Sequence, residues 1–395
     1  MSRLLFVVPP LAGHINPLAG AAAELAAGGH RVAWAGPHPL VGELLGEDAL
    51  VYPAGDAADF DLSGRPPGLR AFAALKFLWE NYLVPLADAM VAGVGAAVTD
   101  FAPDVIVVDQ QALAGALVAT RAGLPWATSA TTSSELADPL GTMPKVASWI
   151  RDLQQGLRDR HGVAGEVDLR FSPHAVLAFS TEELAGCPVV PLPGELHYVG
   201  PSLADRRETA EFPWHRIDPD RSLVLVTLGT ANGAAGGRFL AESARALANL
   251  RDDFQGVIVD PEGSLPEGMA EDVLVARGIP QLSVIQRAAV VVCHGGHNTV
   301  CETLWHGVPL VVAPIRDDQP VLAQQVVNAG AGTRIRFDRA RAEDIEQAIR
   351  TVCQEPDYAA QARRIRTSFR HAGGSTAAAR HLSTLASIST AGCCS

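Results

Sequence analysis

Two stretches of this sequence place chemically capable residue types at usable spacings. The denser is Ala289-Val290-Val291-Val292-Cys293-His294-Gly295-Gly296-His297-Asn298-Thr299, where a buried-strand pattern runs into two glycines. A helix is expected to start at about Thr299 and to end near Gly307-Val308-Pro309. Glycines let a backbone approach an anion closely, and a helix N-terminus presents amides at the positive end of its dipole. With His294, Asn298 and Thr299 adding side-chain donors, the stretch can cradle a diphosphate without a lysine. It reads equally as a tight turn whose Asn and Thr cap the helix.

The second stretch is Gly13-His14-Ile15-Asn16-Pro17, directly after the first strand pattern, together with Asp109 at the end of another. Ligands of open α/β sheets bind at the carboxyl ends of strands. An imidazole titrates near neutrality, so His14 there can take a proton from an attacking hydroxyl, and the resulting cation needs an oriented carboxylate. A structural turn histidine and a helix-capping aspartate account for the same residues.

The elements that would position these groups follow from hydrophobic patterning. Leu4–Pro9 reads as a buried strand, Leu18–Ala27 as an Ala-rich helix stopped by Gly28-Gly29, and Arg31–Ala35 as the next strand. Asp104–Asp109 is a further strand, followed by a helix over Ala112–Ala122. This alternation implies a parallel sheet covered on both faces. A polar, proline-punctuated stretch between Gly200 and Arg221 reads as a linker. Beyond it Leu223–Leu228, Gly256–Val259, Val273–Ala276, Ala289–Cys293 and Val308–Pro314 read as strands of a second series. The expected fold class is α/β: two doubly wound, Rossmann-like domains facing each other across a cleft. The expected boundaries are 1–203 for an acceptor domain with the base, 204–221 for the linker and 222–375 for a donor domain. The remainder, 376–395, is expected to form a C-terminal helix packing back on the first domain, with a frayed tail.

Composition excludes several classes. A net charge of −12 opposes binding to nucleic acid or an anionic membrane. The 48 % hydrophobic and 19 % charged content suits a globular protein and not a disordered one. No apolar run approaches the roughly 18 residues of a membrane helix, and the apolar start is too short for a signal peptide, so a cytoplasmic protein without membrane insertion is expected. The six cysteines form no spaced pair, which suggests neither a zinc site nor a disulfide framework. The triplets Asp59-Phe60-Asp61 and Asp218-Pro219-Asp220 sit in polar loops and read as solvated, so no metal and no cofactor are expected.

The run from Ile279-Pro280-Gln281 through His294-Gly295-Gly296-His297-Asn298-Thr299, Glu302 and His306-Gly307-Val308-Pro309 to Asp317-Asp318-Gln319 resembles the C-terminal signature of family 1 glycosyltransferases. The members of this family have the GT-B fold. The resemblance implies that His294, Gly296, Asn298, Thr299 and Thr230 meet the donor diphosphate. It implies Ile279, Gln281 and Glu302 for the ribose and base, and Asp318 and Gln319 for the transferred sugar. It also implies His14 as base and Asp109 as its orienting carboxylate. Many members carry a tryptophan where this chain has Gly278, so the base pocket must be built differently and uridine and thymidine donors both stay open. Phe72, Phe77, Trp79 and Thr132 fall in regions that family members use for flat acceptors, although an aromatic stripe at helical spacing also reads as core.

The implied activity is metal-independent, inverting transfer of a hexose from a nucleoside diphosphate sugar to a hydroxyl of a small hydrophobic natural product. The implied partners are donor and aglycone; the oligomeric state is open, a homodimer being one option. A nucleotide-sugar epimerase of the same fold needs no acceptor base beside the first strand. A transferase acting on lipid-linked acceptors at a membrane should show a basic, apolar patch that this acidic chain lacks. A non-catalytic activator has no use for both His14 and Asp109.

Overall fold

After Arg3 the first strand holds only apolar side chains, and Leu4 to Val8 are all 0 % exposed. Such runs fit a sheet covered on both faces, which is what a parallel sheet requires. The computed structural model describes residues 1–61, 65–66, 69, 71–137, 140–141, 143–203, 210–229, 233–265 and 273–392. The chain divides into two compact units, one of residues 1–182, 187–205 and 371–395, the other of residues 183–186 and 206–370.

The strands of the first unit are β1 (Arg3–Val7), β2 (Arg31–His38), β3 (Val51–Asp56), β4 (Val105–Asp109), β5 (Trp126–Ala130), β6 (Ala175–Ala178) and β7 (Glu195–Tyr198). They form one parallel sheet in the order β3-β2-β1-β4-β5-β6-β7. Those of the second unit are β8 (Ser222–Thr227), β9 (Phe254–Val259), β10 (Val273–Ala276), β11 (Ala288–Cys293), β12 (Leu310–Val312) and β13 (Gly332–Arg334). Their order is β10-β9-β8-β11-β12-β13, again parallel. Strand order reverses between β1 and β4 in the first sheet and between β8 and β11 in the second. At such switch points the loops leave to opposite faces of the sheet and open a crevice at its carboxyl edge.

Two elements differ from expectation. The first helix runs Ala12–Ala27, six residues longer at its start than the pattern indicates, and Pro17 lies inside it. A proline usually marks a first turn, but here Ile15, Pro17 and Leu18 are buried, and that burial holds the extra turn in place. His14 therefore sits in the first turn of a helix. The stretch Phe72–Phe101 is long and apolar enough to cross a membrane by length and composition, with mean hydropathy 1.5. Lys76, Glu80, Asp88 and Asp100 interrupt it, so it holds no unbroken apolar run of that length. It includes a π-helical turn, Leu78–Leu83, and Leu86, Met90 and Val94 are fully buried in the core beside β1 and β4 residues. The helix Gly374–Gly392 returns to the first unit, where Ala378 and Leu382 pack with Leu18 and Leu25.

Candidate active site

Each switch point carries one of the chemical clusters. In the first unit, register places Val7 of β1 beside Val108 of β4, so the residues just beyond both strands are neighbours. His14 Nδ1 lies 3.0 Å from Asp109 Oδ1 and 3.1 Å from Oδ2. Asp109 is 0 % exposed, and a buried carboxylate must be satisfied by donors. It is: the Gln111 amide donates to Oδ1 at 2.9 Å, and the Thr131 hydroxyl to Oδ2 at 2.9 Å. With Nδ1 turned to the carboxylate, Nε2 is the nitrogen suited to accept a proton. A histidine so held has the geometry a general base requires.

The sequence places Thr131 only in the stretch read for the acceptor, beside Thr132, and not as a partner of Asp109. It follows β5, the Trp-Ala-Thr-Ser-Ala strand. The signal available was topological: the strand after β4 in a doubly wound sheet ends beside it. Behind this loop the guanidinium of Arg170 pairs with Glu135 at 2.5 Å and with Asp168 at 2.6 Å. Arg170 also stacks on the rings of Trp79 and Phe171, and these contacts fix the segment after Thr131.

In the second unit the turn after β11 meets the turn after β8. Gly295 has φ +86°, and a Cβ there would fall 2.7 Å from Val312 and 3.3 Å from the Gln319 carbonyl, so the turn requires glycine. A Cβ on Gly296 would fall 2.3 Å from His294 Nε2. The helix His297–Trp305 starts immediately after, two residues before the expected Thr299. Its first-turn amides have no intrahelical acceptor and face the turn. His294 is buried, and its Nδ1 has no hydrogen-bond partner. Burial pushes this imidazole down to about 4, the positive charge of Arg316 adds to the effect, and a hydrogen bond to the Thr227 carbonyl opposes it. Thr230 lies outside the described residues; Asn298 and Thr299 occupy the first turn of the helix.

The His294 shift has a consequence for stability. An unfolded histidine titrates near 6.5, so as pH falls the unfolded chain takes a proton that the folded chain refuses until about 4. Stability should be full above pH 6.5 and decline down to about pH 4, by up to about 3 kcal/mol from this group. Denaturant unfolding at pH 7 and pH 4.5 should show a smaller loss for His294→Gln than for the wild type. Equal losses in both would remove His294 as the cause.

A cavity of about 180 Å³ adjoins the cradle, bounded by Gly229, Asp260, Arg277, Gly278, Ile279 and Gln281 among others. A Cβ on Gly278 would meet nothing within 4 Å, so this wall is open where many relatives carry an indole. Gln281 donates to Glu302 at 2.5 Å, and Glu302 is buried. On the opposite side of the turn, the Gln319 oxygen accepts from the amides of Ile315 and Arg316 at 2.9 and 3.1 Å. Only its amide nitrogen is left to donate outward. Asp318 stands at the N-cap of the helix Gln319–Asn328, yet its side chain makes no capping bond. Just before them Asp317 adopts φ +56°, a strained value for a residue with a side chain.

The four acceptor candidates are not gathered in one place. Phe72 is half exposed and meets Trp149 edge-on at 5.6 Å, and Phe77 lies under Arg65. Trp79, at 2 % exposure, belongs to the core, where its ring has no face to offer a ligand. Thr132 is buried with its hydroxyl 3.3 Å from Ser134 Oγ. Of the two acidic triplets, Asp59 is exposed and Asp218 is engaged by Arg221 at 2.9 Å.

Two parallel, doubly wound units, one with a carboxylate-held histidine and one with a glycine turn at its switch point, give the chain the GT-B fold of its structural relatives. Residues 199–371 match the family UDP-glucoronosyl and UDP-glucosyl transferase. The 4'-demethylrebeccamycin synthase of Lentzea aerocolonigenes is 29 % identical over 93 % of this chain and 96 % of its own length. Among solved structures, a glycotransferase of kitacinnamycin superposes with a TM-score of 0.78 at 24 % identity, over 97 % of this chain and 99 % of that one. A spinosyn rhamnosyltransferase complexed with thymidine diphosphate gives 0.74 at 20 % identity, over 97 % and 100 %. The chain thus resembles glycosyltransferases of antibiotic and other natural-product pathways along nearly its full length.

Proposed function

We propose that the chain catalyses inverting, metal-independent transfer of a hexose from a nucleoside diphosphate donor to a hydroxyl of a small hydrophobic natural product. The observation that carries this reading is the fully buried Asp109 holding Nδ1 of His14 at the first switch point. An acceptor hydroxyl gives its proton to Nε2 as its oxygen bonds to the anomeric carbon. The bond from that carbon to the diphosphate oxygen breaks, and the leaving group departs with the electron pair. A single displacement inverts the anomeric centre.

The two switch points divide the charge. The helix N-terminus around His14 opposes a cation, and the Asp109 carboxylate offsets that opposition as the imidazolium forms. At the second site the turn Gly295-Gly296, the amides of the following helix and His294 receive the charge of the leaving diphosphate, the work an ion does in metal-dependent transferases. In this reading Glu302 and Gln281 bind the ribose, and the cavity beside Gly278 receives the base. The exposed ring of Phe72 supports an apolar acceptor, and the synthase name of the rebeccamycin relative supports a natural product.

A donor-by-acceptor screen reading nucleoside diphosphate release tests the reading. Release should require both substrates and survive a chelator. Activity destroyed by chelation and restored by magnesium would refute the metal-free mechanism. The sugar should be a well-hydroxylated hexose, because Asp318 offers only acceptors and Gln319 only its amide donor. A deoxysugar forgoes a hydrogen bond to one of these groups, worth about 1.5–3 kcal/mol where the group is charged. Glucose-type donors should therefore exceed multiply deoxygenated ones by about tenfold or more in kcat/KM. Asp318→Ala should shrink that margin. A clear deoxysugar preference in the wild type counts against the assignment.

A further inference from the structure

The cavity beside the second switch point has a cation at its far end. Arg277 and Gly278 follow β10, and both are exposed. The Arg277 guanidinium reaches across to the turn after β9, where a Cβ built on Gly263 would lie 3.5 Å from its Nη2. Asp260 and Pro261 of that turn line the cavity together with Arg277. Both carboxylate oxygens of Asp260 are spent within the turn, one on the Ser264 hydroxyl and one on the Leu265 amide, each at 2.9 Å. Among the described residues no carboxylate pairs with Arg277, so its fork is open to whatever enters.

Topology decides which part of a donor this guanidinium can meet. The glycine turn and His294 lie beyond β11, and a Cβ on Gly229 would fall 2.8 Å from the His294 ring, so the β8 end of the cavity adjoins the cradle. Arg277 follows the strand at the opposite edge of the order β10-β9-β8-β11, and its tip rests by the turn after β9. Neighbouring strands lie about 4.8 Å apart, so two to three spacings set the guanidinium about 10–14 Å from β11. A group there is remote from the diphosphate and close to the other end of a nucleoside. The walls between are apolar, from Leu228, Leu240, Val259 and Ile279. A flat base laid against them keeps one face bare, because Gly278 has no side chain and a Cβ there would meet nothing within 4 Å.

We propose that Arg277 closes the base pocket, its guanidinium lying flat on the face of the donor's base that Gly278 leaves uncovered. The guanidinium is planar, weakly hydrated and able to stack on a π-face, which the point charge of a lysine cannot reproduce. It holds the nucleoside by its plane, while the phosphates are met at Gly295-Gly296. Every base has a π-face, so the contact strengthens nucleoside binding without choosing between uridine and thymidine. This role rests on the donor-site reading above.

Calorimetric titration of the full chain with UDP, dTDP and inorganic pyrophosphate separates the parts. Arg277→Ala should weaken the tighter-bound nucleoside diphosphate about 3- to 30-fold, the span of a cation over a π-face, and leave pyrophosphate within about twofold. Arg277→Lys should remain close to alanine. Adding Gly278→Trp to the Arg277→Ala chain should recover the affinity, because an indole stacks on the same face. Nucleoside diphosphate affinity within about twofold of wild type in Arg277→Ala overturns the proposal and leaves the donor reading intact. An equal loss for pyrophosphate, or recovery with lysine, also overturns it, since charge and not the plane would then be the whole contribution. A wild-type chain that binds pyrophosphate but neither UDP nor dTDP overturns the base pocket itself, and the role of Arg277 with it.

Discussion

His14→Ala should reduce transfer to an alcohol acceptor by about 10²–10⁴-fold in kcat, while nucleoside diphosphate affinity stays within about twofold of wild type. The two halves of this expectation come from the two units. His14 belongs to the first, where it faces Asp109 and Thr131; every residue of the diphosphate cradle belongs to the second. Removing the ring deletes the proton acceptor and nothing that holds the donor. Asp109→Asn should cost nearly as much, for a different reason. The amide keeps the shape but cannot accept at both oxygens, and it presents an N–H toward Nδ1 or Thr131 Oγ1, so the imidazole is pushed to the wrong tautomer and the cation loses its counter-charge. A readily ionised phenol should be rescued in part, since it arrives without needing a base. The informative pairing is therefore one phenol and one alcohol on the same donor. Retention of more than about a tenth of wild-type kcat with the alcohol would remove His14 from the base role.

The sequence made the Rossmann-like order of both halves legible, because β1, β4, β8 and β11 are unbroken apolar runs that only a doubly covered parallel sheet can bury. That order alone brings His14 to Asp109, since the strands before them are neighbours at the switch point. Where the pattern was quieter, the reading stopped. The carboxyl end of strand β5 was read for the acceptor through Thr132, and nothing in its Trp, Ala, Thr and Ser run marks Thr131 as a partner of Asp109. Pro17 masked the first helical turn, because local propensity places a proline at a helix start while packing of Ile15 and Leu18 extends the helix backwards. Trp79 shows the opposite error. Its aromatic stripe is core, and the ring rests against a half-buried arginine, Arg170, which is far from Trp79 in sequence and is held by Glu135 and Asp168. The dual use of Gln319 was likewise invisible, since nothing in a dipeptide reveals that one end of an amide is spent on the loop that carries it.

His294→Ala should weaken nucleoside diphosphate binding about 10- to 100-fold, the span of a hydrogen bond from a charged group to phosphate. The ring is buried with Nδ1 unpartnered, and its other nitrogen is held by the Thr227 carbonyl. Titrating down at about 4, it is neutral at pH 7, so Nδ1 holds a lone pair and not a proton. A phosphate oxygen arriving there meets an acceptor. Binding must then bring a proton to Nδ1, either by charging the ring or by moving the proton from Nε2 at the expense of the Thr227 bond. The dianion supplies the drive for the first route, because an opposite charge at contact distance favours the protonated ring. Diphosphate affinity should therefore rise as pH falls from 8 to 6, and calorimetry in buffers of different ionisation heat should show proton uptake beyond that of the diphosphate itself. His294→Ala should abolish the excess uptake along with the affinity. Gly296→Ala should act on the same contact without removing the ring, since its Cβ would fall 2.3 Å from Nε2 and displace the imidazole from the turn. Affinity within about threefold of wild type in His294→Ala would show that the amides of the turn and helix hold the diphosphate unaided. Loss of affinity without loss of excess proton uptake would place the proton on another group.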